Sequence, residues 1–94
     1  MNRHIFNDVL AQVSSAYGIS EKAVFNRSKR PSVTEPRQVL WMIGYDKGLR
    51  ISELRDFTND EGLQIHQSTV IRGIERARKI ADVDRRVNDL SLSI

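Results

Sequence analysis

The run Val39-Leu40-Trp41-Met42-Ile43, introduced by Pro36-Arg37-Gln38 and followed by Gly44 and Tyr45, constrains the fold more than any other stretch of the chain. Wound as a helix, it is apolar around most of its circumference, so it has no side to give to water and needs partners on several faces. The other segments must surround it. With 94 residues of which 39% are hydrophobic, the chain can build one such core and not two. The expectation is an all-α fold, a single small multi-helix domain over residues 1–94, with Trp41 and Tyr45 in its core and the last ten residues or so either adding a helical turn or fraying.

The flanking segments have the required amphipathic spacing. Ile5 or Phe6, Val9, Val13 and Ala16 or Tyr17 recur at helical intervals, with Gly18 where a helix-ending glycine belongs, which predicts a helix over residues 4–17. Ser20 offers an N-cap for a short helix packed through Ile19, Val24 and Phe25. Residues 26–36, NRSKRPSVTEP, read as an exposed basic loop broken by two prolines, with Thr34 as the next N-cap and Pro36 in the first turn of the apolar helix, which ends near Gly48. Ser52 then caps a short helix with Ile51, Leu54 and Phe57 inward, and Thr58-Asn59-Asp60-Glu61-Gly62 reads as a turn.

Several classes of chemistry are excluded by composition. The chain has no cysteine, and its two histidines, His4 and His66, stand in no metal-ligand spacing, so neither metal nor any other cofactor is expected. No nucleophile, acid and base occur at a recognisable spacing, so no enzyme activity and no small-molecule substrate are expected. No apolar run approaches the roughly 18 residues of a membrane span and the N-terminus lacks a signal-peptide core, so the expectation is a cytoplasmic protein without a membrane partner. Formal charge is +3 and the isoelectric point about 9.7, a modest excess whose placement decides its meaning.

The placement is most telling in HQSTVIRGIERARKI, residues 66–80. Val70 or Ile71, Ile74, Ala77 or Arg78, and Ala81 form the inward stripe of a helix, while Arg72, Arg76 and Lys79 project together on another side. The helix opens on His66, Gln67, Ser68 and Thr69. A short helix, a turn and a second helix with small polar residues at its start match a helix-turn-helix, whose second helix enters the major groove of DNA by its N-terminal end. Glutamine can bond adenine, serine and threonine can bond several base edges, and the free N–H groups of a helix start favour phosphate. The plainer account has these residues capping the helix and the cations forming a solvated face.

These features resemble the C-terminal DNA-binding domain of DnaA, the bacterial chromosomal replication initiator, over most of the chain from about Phe6 to Ile80. The likeness rests on Tyr17 near the end of the first helix, the basic loop, Pro36-Arg37-Gln38 opening the long helix, Ser52-Glu53-Leu54, and Ser68-Thr69-Val70 before a helix closing on Arg78-Lys79-Ile80. It implies a Trp-repressor-like helix-turn-helix bound to double-stranded DNA, with the recognition helix in the major groove and the loop in the adjoining minor groove. The DNA-binding residues it implies, together with the residue chemistry, are Arg27, Lys29, Arg30, Arg37, His66, Gln67, Ser68, Thr69, Arg72, Arg76 and Lys79. The family's Asp-His-Thr-Thr is here His66-Gln67-Ser68-Thr69, and its Gly-Gly-Arg gives way to Leu63-Gln64-Ile65, so the base-reading chemistry differs from the initiator's. No P-loop is present. The resemblance therefore implies a stand-alone relative, phage-encoded or accessory, that regulates transcription or DNA replication; the alternative is a small helical adaptor or inhibitor that binds a host replication or transcription protein, and a homodimer is compatible with either.

Overall fold

A computed structural model describes residues 2–94. Six helices follow in order: α1 (Arg3–Tyr17), α2 (Glu21–Val24), α3 (Pro31–Asp46), α4 (Ile51–Asp60), α5 (Gln67–Val83) and α6 (Arg85–Ser93), and no strand occurs among the described residues. The fold is the all-α multi-helix arrangement that the apolar run demands. α3 is the central element, packed against α1 on one side and α5 on the other, with α4 and α6 also laid on α5. Val39, Leu40, Trp41, Met42 and Ile43 are all buried, and Phe6, Val9, Val13, Leu54 and Val70 complete one continuous core around them. None of the helices is long and apolar enough to cross a membrane.

Ends of the elements follow local chemistry. The N–H of Ile19 reaches the carbonyl of Ser14 past Gly18, closing α1 where the sequence places its end, and the Ser20 hydroxyl accepts from the N–H of Ala23 to cap α2. Asp84 joins α5 to α6: its carboxylate accepts from the N–H of Arg86, and Val87 and Leu90 then pack on the core, so the C-terminal segment forms a nine-residue helix.

Five sequence expectations are corrected. α3 begins at Pro31, four residues earlier than expected, because Arg30 is held extended by the following proline and Pro31 is preorganised for the first helical position. Thr34 is therefore no cap; its hydroxyl donates back to the carbonyl of Arg30, and Pro36 lies inside the helix, buried, beside a Glu35 that accepts from the Tyr17 hydroxyl at 2.7 Å. α4 is capped through Glu53, which accepts from the N–H of Arg50, and Ser52 lies within it. Thr58, read as part of a turn, is in the last turns of α4, fully buried, because its hydroxyl accepts from the indole N–H of Trp41 at 3.0 Å. Tyr45 is not core: the helix turns it outward and it is 47% exposed.

Two contacts position α5. Gly62, with φ 98°, lets the chain reverse after α4 so that the N–H of Leu63 returns to the carbonyl of Thr58 and Leu63 is buried. Asn59 then fixes the rest of the turn, its side chain accepting from the N–H of Ile65. Further along, Gly73 lies against the face of Trp41; a Cβ there would fall 2.5 Å from the indole Cε3, so only glycine allows α5 to come this close to α3.

Candidate nucleic-acid interface

The basic loop is shorter than its sequence suggests and more ordered. Residues 26–30 contain two consecutive side-chain turns: the Asn26 carboxamide accepts from the N–H of Ser28, and the Ser28 hydroxyl accepts from the N–H of Arg30. The residues between them, Arg27 and Lys29, are exposed, as is Arg30, the N-cap residue of α3. Polar residues that bind the backbone alternate with cations that face water, so the charges are presented from a shaped loop.

Arg37 anchors that loop from below. It is only 9% exposed; its Nε donates to the carbonyl of Val24 at 2.9 Å and its Nη2 to the carbonyl of Asn26 at 2.6 Å. Burial pulls its pKa below the ordinary arginine value, yet a guanidinium in a protein keeps its proton. The residue expected to touch DNA instead spends two donors on the backbone that leads into the loop. Its sequence signature, an arginine two residues before an apolar run, does not distinguish the two roles.

At the start of α5, His66 is the N-cap residue but makes no side-chain cap. Gln67 is the first helical residue, and its Oε1 accepts from Arg55 Nη1 at 3.1 Å. Ser68 and Thr69 are exposed and their hydroxyls make no hydrogen bond among the described residues. Capping therefore does not account for the polar residues that open this helix. The N–H of Thr69 donates to the carbonyl of His66, and the N–H groups of Gln67 and Ser68, in the first turn of the helix, have no hydrogen-bond acceptor among the described residues.

Between these two elements runs an open groove of about 490 Å³, lined by Lys29, Thr34, Arg37, Gln38, Trp41, Thr69, Arg72, Gly73 and Arg76. Lys29 of the loop and Thr34, Arg37, Gln38 and Trp41 of α3 line one side, and Thr69, Arg72, Gly73 and Arg76 of α5 line the other. Lys29, Arg37, Thr69, Arg72 and Arg76, chosen from separate parts of the sequence, are thus brought together. No carboxylate lines the groove; Glu75 and Asp82, the two acids of α5, lie outside it. Arg27, Arg30, His66, Gln67, Ser68 and Lys79 are exposed around it rather than in it. Arg78, in the same basic run, is turned away and paired with Asp46 at 2.8 Å, which raises its pKa.

Arg55 was missed by sequence reasoning. It projects from α4 at the start of α5, its Nε and Nη2 both 2.9 Å from Asp56 Oδ1 and its Nη1 on Gln67. Its position follows once Leu54 and Thr58 are known to point inward, because Arg55 then falls on the flank of α4 beside the following helix. Among the described residues, no group of three or more His, Asp or Glu side chains could hold a metal ion. No protein-family model, curated protein or solved structure matches this chain.

Proposed function

We propose that the chain is a sequence-specific, non-enzymatic binder of double-stranded DNA, acting as a regulator of transcription or replication. In this reading α4 and α5 form a helix-turn-helix, the opening residues of α5 face base edges in the major groove, and the loop of residues 26–30 enters the adjoining minor groove. The observation that carries the reading is the groove between loop and helix. A protein that enters two neighbouring grooves of a duplex must straddle the sugar-phosphate strand that separates them. The acid-free groove walled by Lys29, Arg72 and Arg76 lies between the two elements, where that strand would pass. The exposed hydroxyls of Ser68 and Thr69 and the free N–H groups at the start of α5 supply the polar contacts that base edges and phosphates require. The resemblance to the DNA-binding domain of DnaA leads to the same arrangement.

The test is the salt dependence of binding to duplex DNA, followed by fluorescence anisotropy. Neutralising about five phosphates gives a slope of log affinity against log salt of roughly −4 to −5, and replacing Arg72 or Arg76 by Gln reduces it by about one unit each. A slope near zero, or no retention of duplex at low salt, overturns the proposal in favour of a helical adaptor that uses its cations on an acidic protein.

A further inference from the structure

We infer that Arg55 sets the base preference of Gln67, turning a residue that would otherwise read adenine into one that reads guanine or thymine. The inference rests on the DNA-binding reading above. A glutamine free to rotate recognises adenine with both ends of its carboxamide: the amide NH2 donates to N7 while Oε1 accepts from the N6 amino group. Here the two ends are not equivalent. Oε1 is held by Arg55 Nη1 at 3.1 Å from the α4 side, which turns one of its lone pairs to the protein and leaves the NH2 group as the end with no partner among the described residues. An unpartnered donor is matched by base edges that accept, and guanine N7 and O6 or thymine O4 are such edges.

The guanidinium of Arg55 is itself oriented. Its Nε and Nη2 lie on Asp56 Oδ1, both at 2.9 Å, so the edge that remains is the one directed at Gln67. The neighbouring carboxylate also offsets its charge. A phosphate clamp would gain nothing from such a partner, whereas a residue that holds a neighbour's amide in one rotamer gains a fixed direction. Arg55 is thus a positioning residue that acts through Gln67, and Asp56 positions Arg55 in turn.

The experiment selects bound fragments from a random duplex library with the wild-type protein, Arg55→Met, Asp56→Asn and Gln67→Ala, then measures affinity on the selected site and its single-base variants at several salt concentrations. Gln67→Ala identifies the base pair read by Gln67, as the one position where preference is lost. The wild type is expected to choose guanine or thymine there. Arg55→Met is expected to move that position toward adenine by about tenfold, with all other positions and the salt slope unchanged. Asp56→Asn, which keeps the arginine and loosens its orientation, is expected to move it the same way by less, and it carries the test should Arg55→Met unfold on heating. Wild-type preference for adenine at that position overturns the inference, as does an unchanged preference in both variants. A uniform loss on all duplexes with a slope reduced by about one unit also overturns it, because Arg55 is then a phosphate contact. These outcomes leave DNA binding intact; a wild-type protein that retains no duplex fails the underlying reading instead, and the inference with it.

Discussion

Gly73→Ala tests how α5 is seated on the core. The new Cβ would lie 2.5 Å and 2.6 Å from Cε3 and Cζ3 of Trp41 and 3.3 Å from Cγ of Gln38, whereas carbon atoms rest comfortably at about 3.5–4.0 Å. The indole must therefore retreat by about 1 Å. It has little freedom to do so: Trp41 is 2% exposed and its N–H is committed to Thr58. Overpacking of this kind costs about 1–3 kcal/mol, and the better helix propensity of alanine returns about 1 kcal/mol, so the net loss is up to about 2 kcal/mol. For a domain of this size the midpoint of thermal unfolding should fall by up to about 15 °C, read by far-ultraviolet circular dichroism. In a Trp41→Phe background, where the smaller ring relieves the clash, the same substitution should cost less, with a coupling of about 0.5–3 kcal/mol. A Gly73→Ala protein that is more stable than wild type, or additive with Trp41→Phe, would show that α5 and α3 do not meet through this contact.

Other perturbations address the remaining joints. Thr58→Val leaves the buried indole N–H of Trp41 without an acceptor and should cost about 1–3 kcal/mol in chemical denaturation, while Thr58→Ser should cost much less. Arg37→Met removes two charge-assisted bonds to backbone carbonyls, with an expected loss of about 2–4 kcal/mol and a similar weakening on every duplex as the loop loosens; weaker binding at unchanged stability would instead return Arg37 to direct contact with DNA. The Tyr17 hydroxyl is pushed well above its ordinary 10.0, first by burial and then by its bond to the Glu35 carboxylate, so the folded state holds this proton more tightly than the unfolded chain. The stability it contributes is present below about pH 10 and is lost as pH rises beyond, and Tyr17→Phe should flatten the decline in unfolding midpoint over that alkaline range.

The core was legible in the sequence because burial depends on periodicity, and Val39 through Ile43 leave a helix no exposed face. Elements whose ends depend on tertiary contacts were less so. Thr58 resembles a turn residue until the indole of Trp41 supplies a reason for it to be buried in a helix. Pro36 resembles a helix start, yet Pro31 makes a better one, and the extra turn is held by packing of Pro36 and the Tyr17–Glu35 bond, neither of which a local pattern contains. Tyr45 departs in the opposite sense: it belongs to an apolar run, but a helix has a circumference, and the last residue of the run falls where no neighbour covers it.

The candidate site divides along the same line. Its cations and the polar start of α5 are visible as composition, but their convergence depends on Gly73, which brings α5 onto Trp41, and on Arg37, which draws residues 24–26 toward α3. The lining of the groove therefore includes the outer surface of the core. An increase in the separation of α3 and α5 would change the spacing between Lys29 and the Arg72–Arg76 pair at the same time as it opened a void beside Trp41. Packing between interior side chains is steep in distance, so the groove's width is held by the same contacts that hold the fold together. Polar residues in the turns 26–30 can vary the direction of the loop charges without touching that width. On the proposed DNA-binding function, substitutions in the loop should alter which duplexes are held, whereas substitutions beneath the groove should alter stability and binding together.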